Sequence, residues 1–169
     1  MPAPDDAELH ALAEALGRRL RDRHEHLVTA ESCTGGWIAK TITDVAGSSV
    51  WFDCGLAAYS YEAKQALLGV NPHTLEQHGA VSRETVIEMV AGALVRSGAS
   101  IAVAVTGIAG PGGGTAEKPI GTVWIAWKRR GGYPQAQLFH FEGDRESVRR
   151  HTVAAALRGL EALEAGSLR

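Results

Sequence analysis

Residues 101 to 105 read Ile-Ala-Val-Ala-Val, an apolar run with no polar position to turn toward water. Successive side chains of a strand point to opposite faces, so a strand apolar at every position must be covered on both. That pattern belongs to the inside of an α/β sheet, and it demands a layer of helices on each side. The run leads straight into Thr106-Gly107-Ile108-Ala109-Gly110-Pro111-Gly112-Gly113-Gly114. A glycine-rich loop at the end of a buried strand lets backbone approach a ligand closely.

A second stretch has the same form. Leu27-Val28-Thr29-Ala30 is apolar, rich in β-formers and too short for a helix. It breaks into Glu31-Ser32-Cys33-Thr34-Gly35-Gly36, after which Trp37, Ile38, Lys40 and Ile42 come at spacings that fit one face of a helix. A strand that turns into a helix N-terminus presents free N–H groups and a positive dipole end at one point. An anion or a developing oxyanion is stabilised there. Ser32 and Thr34 supply hydroxyls, and Gly35 and Gly36 allow close approach. A simple cap and a tight turn account for the same residues equally well.

Around these stretches the chain reads as alternating strands and helices. Ala7 to about Arg23 is an amphipathic helix capped by Asp5 or Asp6, preceded by a disordered lead over residues 1–6. Val50-Trp51-Phe52 opens toward a strand, and Gly55 to Tyr59 is the second strand proper. Ser60 caps a helix to Leu68, Gly69 stops it, and Asn71-Pro72-His73 is a turn ahead of a single helical turn from Leu75 to His78. Ser82 caps a helix from Arg83 to about Ser97. Gly121 to Trp127 and Gln135 to Phe141 are two further strands, antiparallel neighbours, and Asp144 caps a last helix from Arg145 to Glu164. The expected fold is one α/β domain over residues 7–169, three-layer α/β/α with a mixed five-stranded sheet.

Charge and cysteine content narrow the partners. Seventeen basic against nineteen acidic residues leave a net charge of −2, without the basic excess of a nucleic-acid or membrane-surface binder. Cys33 and Cys54 make neither a disulfide framework nor a zinc cluster, which fits a reducing cytoplasm. The N-terminus lacks the pattern of a signal peptide, and no apolar run approaches membrane-spanning length. Neither GxGxxG nor GxxxxGK[ST] occurs in its required context, so hydride transfer and ATP hydrolysis lack support. No metal-ligand cluster is visible, and no cofactor is expected.

Ligands of open α/β sheets gather beyond the carboxyl ends of the strands. Three such ends carry polar or flexible residues: Glu31 to Gly36, Tyr59-Ser60, and Thr106 to Gly114. Lys64 falls in the first turns of the helix capped by Ser60, where the dipole opposes its charge and favours the neutral amine. Acting as a base near neutrality, it must drop by about 3 units from about 10.4. A solvated helix lysine is the alternative. Tyr59 is a hydrogen-bond donor to substrate or a ring packed at the sheet edge. Arg145 and Arg149 form an anion fork or a charged outer helix face. Cys33 is a thiol near a helix N-terminus but lacks a partner base, so a buried filler suits it better.

Together these motifs resemble the CinA C-terminal domain family. Ala30-Glu31-Ser32-Cys33-Thr34-Gly35-Gly36, Gly47-Ser48-Ser49, Tyr59-Ser60, Glu62-Ala63-Lys64, His78-Gly79-Ala80-Val81-Ser82, Thr106 to Gly113 and Lys118-Pro119-Ile120-Gly121-Thr122-Val123 carry the likeness, from about Glu8 to Leu163. The resemblance implies hydrolysis of the carboxamide of nicotinamide mononucleotide to nicotinate mononucleotide and ammonia, without metal or cofactor, in pyridine nucleotide salvage. It implies Ser32 and Lys64 as a catalytic pair, with Tyr59 beside them. Thr34, Gly35, Gly36, Ser49, Thr106, Gly107 and Arg145 are then the candidate substrate-binding residues. Tyr61 departs from the family, which commonly has asparagine there. The implied partner is a small-molecule nucleotide, the expected assembly a homo-oligomer with a dimer first, and the compartment the cytoplasm. A nucleotide-binding or competence-related regulatory module without turnover is the competing expectation.

Overall fold

The structure is a computed structural model and describes residues 1–168. Its five strands are β1 (Leu27–Glu31), β2 (Phe52–Ala57), β3 (Ile101–Gly107), β4 (Thr122–Arg129) and β5 (Gln135–His140). They form one sheet in the order β2-β1-β3-β4-β5. β2, β1 and β3 run parallel, and β4 and β5 return antiparallel, so the sheet is mixed as the strand pattern predicts.

Helices α1 (Asp6–Asp22), α2 (Trp37–Thr43) and α6 (Arg145–Glu164) cover one face; α3 (Tyr61–Leu68), α4 (Pro72–His78) and α5 (Arg83–Val95) cover the other. The alternation along β3 explains the two layers. Ile101, Val103 and Val105 pack into the core with α1, α2 and α6, whereas Ala102 and Ala104 face α5. Small side chains on that second face let α5 lie close to the sheet. The α3–α5 crossing is closer still: a Cβ on Gly92 would stand 1.8 Å from the Leu68 carbonyl oxygen.

Helix starts follow the caps read from the sequence. Ser60, Ser82 and Asp144 each accept from a backbone N–H in the first turn of α3, α5 and α6. Three boundaries differ. Asp5, one of the two caps read for α1, is its cap and forms a reciprocal capping box with Glu8, whereas Asp6, assigned to the lead, is the first residue of the helix. Asn71 is the cap of α4, with Pro72 in its first turn, because a proline costs nothing where no N–H partner exists. Ser48–Val50 is a 3-10 turn and β2 begins at Phe52, since Trp51 plunges into the core against Gly17 of α1.

This topology brings three chain ends to one rim. β1, β2 and β3 all finish on the same side of the sheet, so Ser32 and Tyr59, just past the ends of β1 and β2, lie at the same rim as Thr106 in the last residues of β3.

Candidate active site

Lys64 reaches the rim from α3, one turn inside the Ser60 cap. Its side chain is 1% exposed, and its Nζ lies 2.9 Å from Ser32 Oγ, 3.1 Å from the Ala58 carbonyl oxygen and 2.9 Å from that of Tyr59. No carboxylate is among these partners. A neutral amine has two N–H donors and one lone pair. In that form the two carbonyls, which can only accept, would take both N–H groups and the lone pair would face the Ser32 hydroxyl; the ammonium would instead donate to all three partners. Burial pulls the Lys64 pKa below its usual value, which favours that neutral form. The arrangement matches a serine hydroxyl with a base that can remove its proton.

The turn that carries Ser32 is held from beneath by a residue the sequence reading gave no role. Glu31 is 1% exposed, and its carboxylate accepts from the Ile38 and Ala39 N–H groups at 2.8 and 2.9 Å. These are the free donors at the start of α2, so the expected anion pocket there is already filled by the protein's own carboxylate. Thr34 belongs to the same cluster. Its hydroxyl donates to Glu31 Oε1 at 2.6 Å, so this expected substrate-binding hydroxyl is spent inside the fold. A carboxylate closing an otherwise apolar strand was the available signal.

Gly35 and Gly36 follow with φ of 60° and 98°, a left-handed pair that residues with a Cβ rarely adopt. Arg149 of α6 lies against them. Its Nε donates to the Cys33 carbonyl at 3.1 Å and its Nη2 to the Thr34 carbonyl at 2.9 Å, and its guanidinium stacks over Trp37. Arg149 is therefore bound to the turn, not splayed on an outer face. Cys33 points into the core, and burial followed by the nearby Glu31 pushes its thiol up to about 12. No useful thiolate exists near neutrality, which removes Cys33 as a nucleophile.

Around the pair stands a rim of cross-bridges. Arg145 donates from Nη2 to the Tyr59 hydroxyl at 3.0 Å and from Nη1 to the Gly110 carbonyl at 2.7 Å, tying α6 to the loops after β2 and β3. Tyr59 is 60% exposed, so its ring stands at the mouth and is not packed away. Thr106 is buried and donates to the Ala80 carbonyl at 2.8 Å, while the Ala80 N–H donates to the Tyr61 hydroxyl at 3.4 Å. Gly107 closes β3 pressed against Thr122 and Val123 of β4. The structure thus gathers Ser32, Lys64, Tyr59, Thr106, Gly107 and Arg145, with the Thr34–Gly36 turn.

Ser49 is not gathered. It lies in the 3-10 turn before β2, at the amino end of the sheet, where Trp51 pairs with Leu27. The whole length of β1, about 15–17 Å at the usual strand rise, separates it from Ser32 within one chain. A cavity of about 540 Å³ between α6 and β5, walled by Trp127, Phe139, Phe141 and His151, also lies away from Ser32. Chemistry, not cavity size, locates the site. Among the described residues no group of three His, Cys, Asp or Glu is placed to hold a metal ion, and no helix is long and apolar enough to cross a membrane.

Fold and site together define a class: a three-layer α/β/α domain that carries a serine against a buried lysine at the carboxyl rim of its parallel strands. The chain matches the CinA C-terminal domain over residues 9–163 and belongs to that family. It is 52% identical over 155 residues to the nicotinamide-nucleotide amidohydrolase PncC of Escherichia coli K12, covering 92% of this chain and 94% of that one. It is 53% identical over 149 residues to the protein of the same name from Pseudomonas putida, covering 88% and 92%. Among solved structures, the competence/damage inducible protein CihA of Agrobacterium tumefaciens superposes with a TM-score of 0.90 at 45% identity, over 96% of this chain and 98% of that one.

Proposed function

We propose that this protein is an amidohydrolase that converts nicotinamide mononucleotide and water into nicotinate mononucleotide and ammonia. The observation that carries the reading is the 2.9 Å Ser32–Lys64 contact, with the Ala58 and Tyr59 carbonyls as the lysine's other two partners. The names of its relatives supply the substrate: both similar proteins are nicotinamide-nucleotide amidohydrolases.

The reaction we propose uses the Ser32–Lys64 pair. Ser32 Oγ attacks the carboxamide carbon as Lys64 Nζ takes the hydroxyl proton. The tetrahedral intermediate collapses when the Lys64 ammonium returns that proton to the departing nitrogen, releasing ammonia and leaving an ester on Ser32. Water then attacks the ester, Lys64 again accepting a proton, and nicotinate mononucleotide leaves as Ser32 recovers its hydrogen. Arg145 and Tyr59, standing at the mouth, orient the charged and aromatic parts of the substrate. The cytoplasm and a nucleotide salvage role accord with this substrate.

Incubation of the purified protein with nicotinamide mononucleotide tests the reading. Ammonia and nicotinate mononucleotide are expected in equal amounts. Binding without release of ammonia would replace the enzyme with a nucleotide-binding regulatory module.

A further inference from the structure

The loop that leaves β3 after Gly107 returns to β4 through Lys118, a residue the reaction above does not use. Thr115 and Lys118 close a tight turn in both directions. The Thr115 N–H donates to the Lys118 carbonyl at 2.9 Å, and the Lys118 N–H donates to the Thr115 hydroxyl at 3.0 Å. The side chain is held at its far end too. Its Nζ donates to the His78 carbonyl at 2.7 Å in a solvent-exposed contact, and a Cβ on Gly79 would stand 3.5 Å from it. A lysine at a protein surface ordinarily keeps most of its rotamer freedom. This one is half-buried and fixed at both ends, so its charge has a set position before any ligand arrives.

That position is on the rim of the site. The Ser32 N–H donates to the Val105 carbonyl, the next residue Thr106 donates to the Ala80 carbonyl, and Ala80 follows the Gly79 that Lys118 flanks. An ammonium has three donors, and among the described residues the His78 carbonyl is the one acceptor of this Nζ. None of the ion pairs among the described residues includes Lys118 or Arg145, which meets the same loop at the Gly110 carbonyl. The other two cations of the rim are already engaged, Lys64 with Ser32 and Arg149 with the Cys33 and Thr34 carbonyls. Nicotinamide mononucleotide carries its phosphate at the end opposite the carboxamide, with a charge of about −1.5 to −2 near neutral pH. We propose that Lys118 binds this phosphate and thereby selects the nucleotide over the nucleoside. With the carboxamide at Ser32, the far end of the substrate meets the outer rim, where Lys118 presents its remaining donors to the phosphate oxygens. This inference rests on the amidohydrolase reading and gives it a residue that recognises the phosphate.

Steady-state kinetics on nicotinamide mononucleotide and on nicotinamide riboside, the same compound without its phosphate, test it. The quantity read is the ratio of kcat/KM for the nucleotide to that for the riboside. Lys118→Met should lower this ratio by about 10- to 100-fold, the size expected for losing a hydrogen bond between two charged groups. The loss on the nucleotide should lie in KM, because the phosphate is bound alike in ground and transition states. Lys118→Arg keeps the charge and should hold the ratio within about threefold of the wild type. Lys118→Gln, which can still donate to the His78 carbonyl, should match the methionine variant and takes its place if that variant fails to fold. A lysine that merely staples the loop to α4 would lower both substrates together and leave the ratio unchanged, which overturns the inference. A wild type without preference for the nucleotide, or a loss confined to kcat, overturns it as well. A wild type that releases no ammonia from either compound overturns the amidohydrolase reading itself, and the two failures are thereby distinct.

Discussion

Lys64 follows Ser32 by 32 residues, and the fold sets their Nζ and Oγ atoms 2.9 Å apart. The register of two strands produces this meeting. β1 and β2 are parallel neighbours with Glu31 opposite Ala57, so the residues that leave each strand emerge side by side. The Ser60 cap then starts α3 at that rim, and one helical turn carries Lys64 back over Ser32. Ala58 and Tyr59, which link β2 to the cap, supply the two carbonyls that occupy the lysine.

Ser32→Ala removes the attacking oxygen and little else. Ser32 is nearly buried and its backbone N–H is held by the Val105 carbonyl, so the turn should keep its shape. Turnover is expected to fall by at least about 10³-fold while nucleotide binding and the circular dichroism spectrum persist. A variant that keeps the wild-type rate removes Ser32 from its role.

Lys64 separates a base from an anchor. Arginine stays protonated at any accessible pH, so Lys64→Arg should be nearly inactive if the lysine takes the serine proton. Lys64→Met keeps the length and loses the amine, and it should be equally inactive. An anchor for the substrate phosphate predicts the reverse: arginine active, methionine raised mainly in KM. Measured kcat and KM for the pair decide between them.

The fold was legible in the sequence because its signals are local. The uniform apolar run of β3, the Ser60, Ser82 and Asp144 caps and the glycine-rich strand ends each report their own neighbourhood. Ser32 and Lys64 could be singled out because strand end and helix start are also local features. What a side chain touches is not. Thr34 looks like a ligand hydroxyl until Glu31 is found beneath it, and that contact depends on how α2 settles. Arg149 reads as half of an anion fork with Arg145 until α6 packs against the turn, 115 residues away from Thr34. Ser49 sits in a motif of the family, yet strand direction sends it to the far end of the sheet.

A packing prediction concerns Gly92, where α5 crosses α3. A methyl group there would meet the Leu68 carbonyl and cannot be relieved by rotating a side chain. Gly92→Ala should destabilise the protein by about 1–3 kcal/mol despite the higher helix propensity of alanine. The melting temperature should drop by several degrees, about 2–4 °C per kcal/mol for a chain of this size. An unchanged melting temperature would show that α3 and α5 are not packed as described. Because α3 carries Lys64, some loss of activity should accompany the shift.

Metal dependence offers a test of the reaction class. Serine and lysine between them supply nucleophile and base, so the proposed reaction needs no bound ion. Activity should survive exhaustive treatment with EDTA, measured as ammonia release. Loss on treatment, with recovery on adding a divalent cation, would replace the serine–lysine reaction by metal-assisted hydrolysis.

The final prediction ties the chemistry of Lys64 to the stability of the fold. Burial lowers its pKa in the folded protein, whereas in the unfolded chain it titrates near the ordinary value of about 10.4. Between those two values the unfolded chain binds one more proton than the folded one, so unfolding free energy rises with pH there. Below the depressed value both states are protonated, above the ordinary value both are neutral, and in neither range does Lys64 add a slope. The difference in unfolding free energy between the wild type and Lys64→Met, which cancels other titrating groups, should therefore increase through that window. Lys64→Arg, charged in both states, should show no such rise. Urea unfolding across the pH range measures all three, and a difference that stays flat would place a charged lysine in the folded site. The lower edge of the window should coincide with the pH at which the rate of the free enzyme rises, because one proton on one nitrogen governs both. Agreement between a stability curve and a rate profile would identify the base by two measurements that share no assumption about substrate.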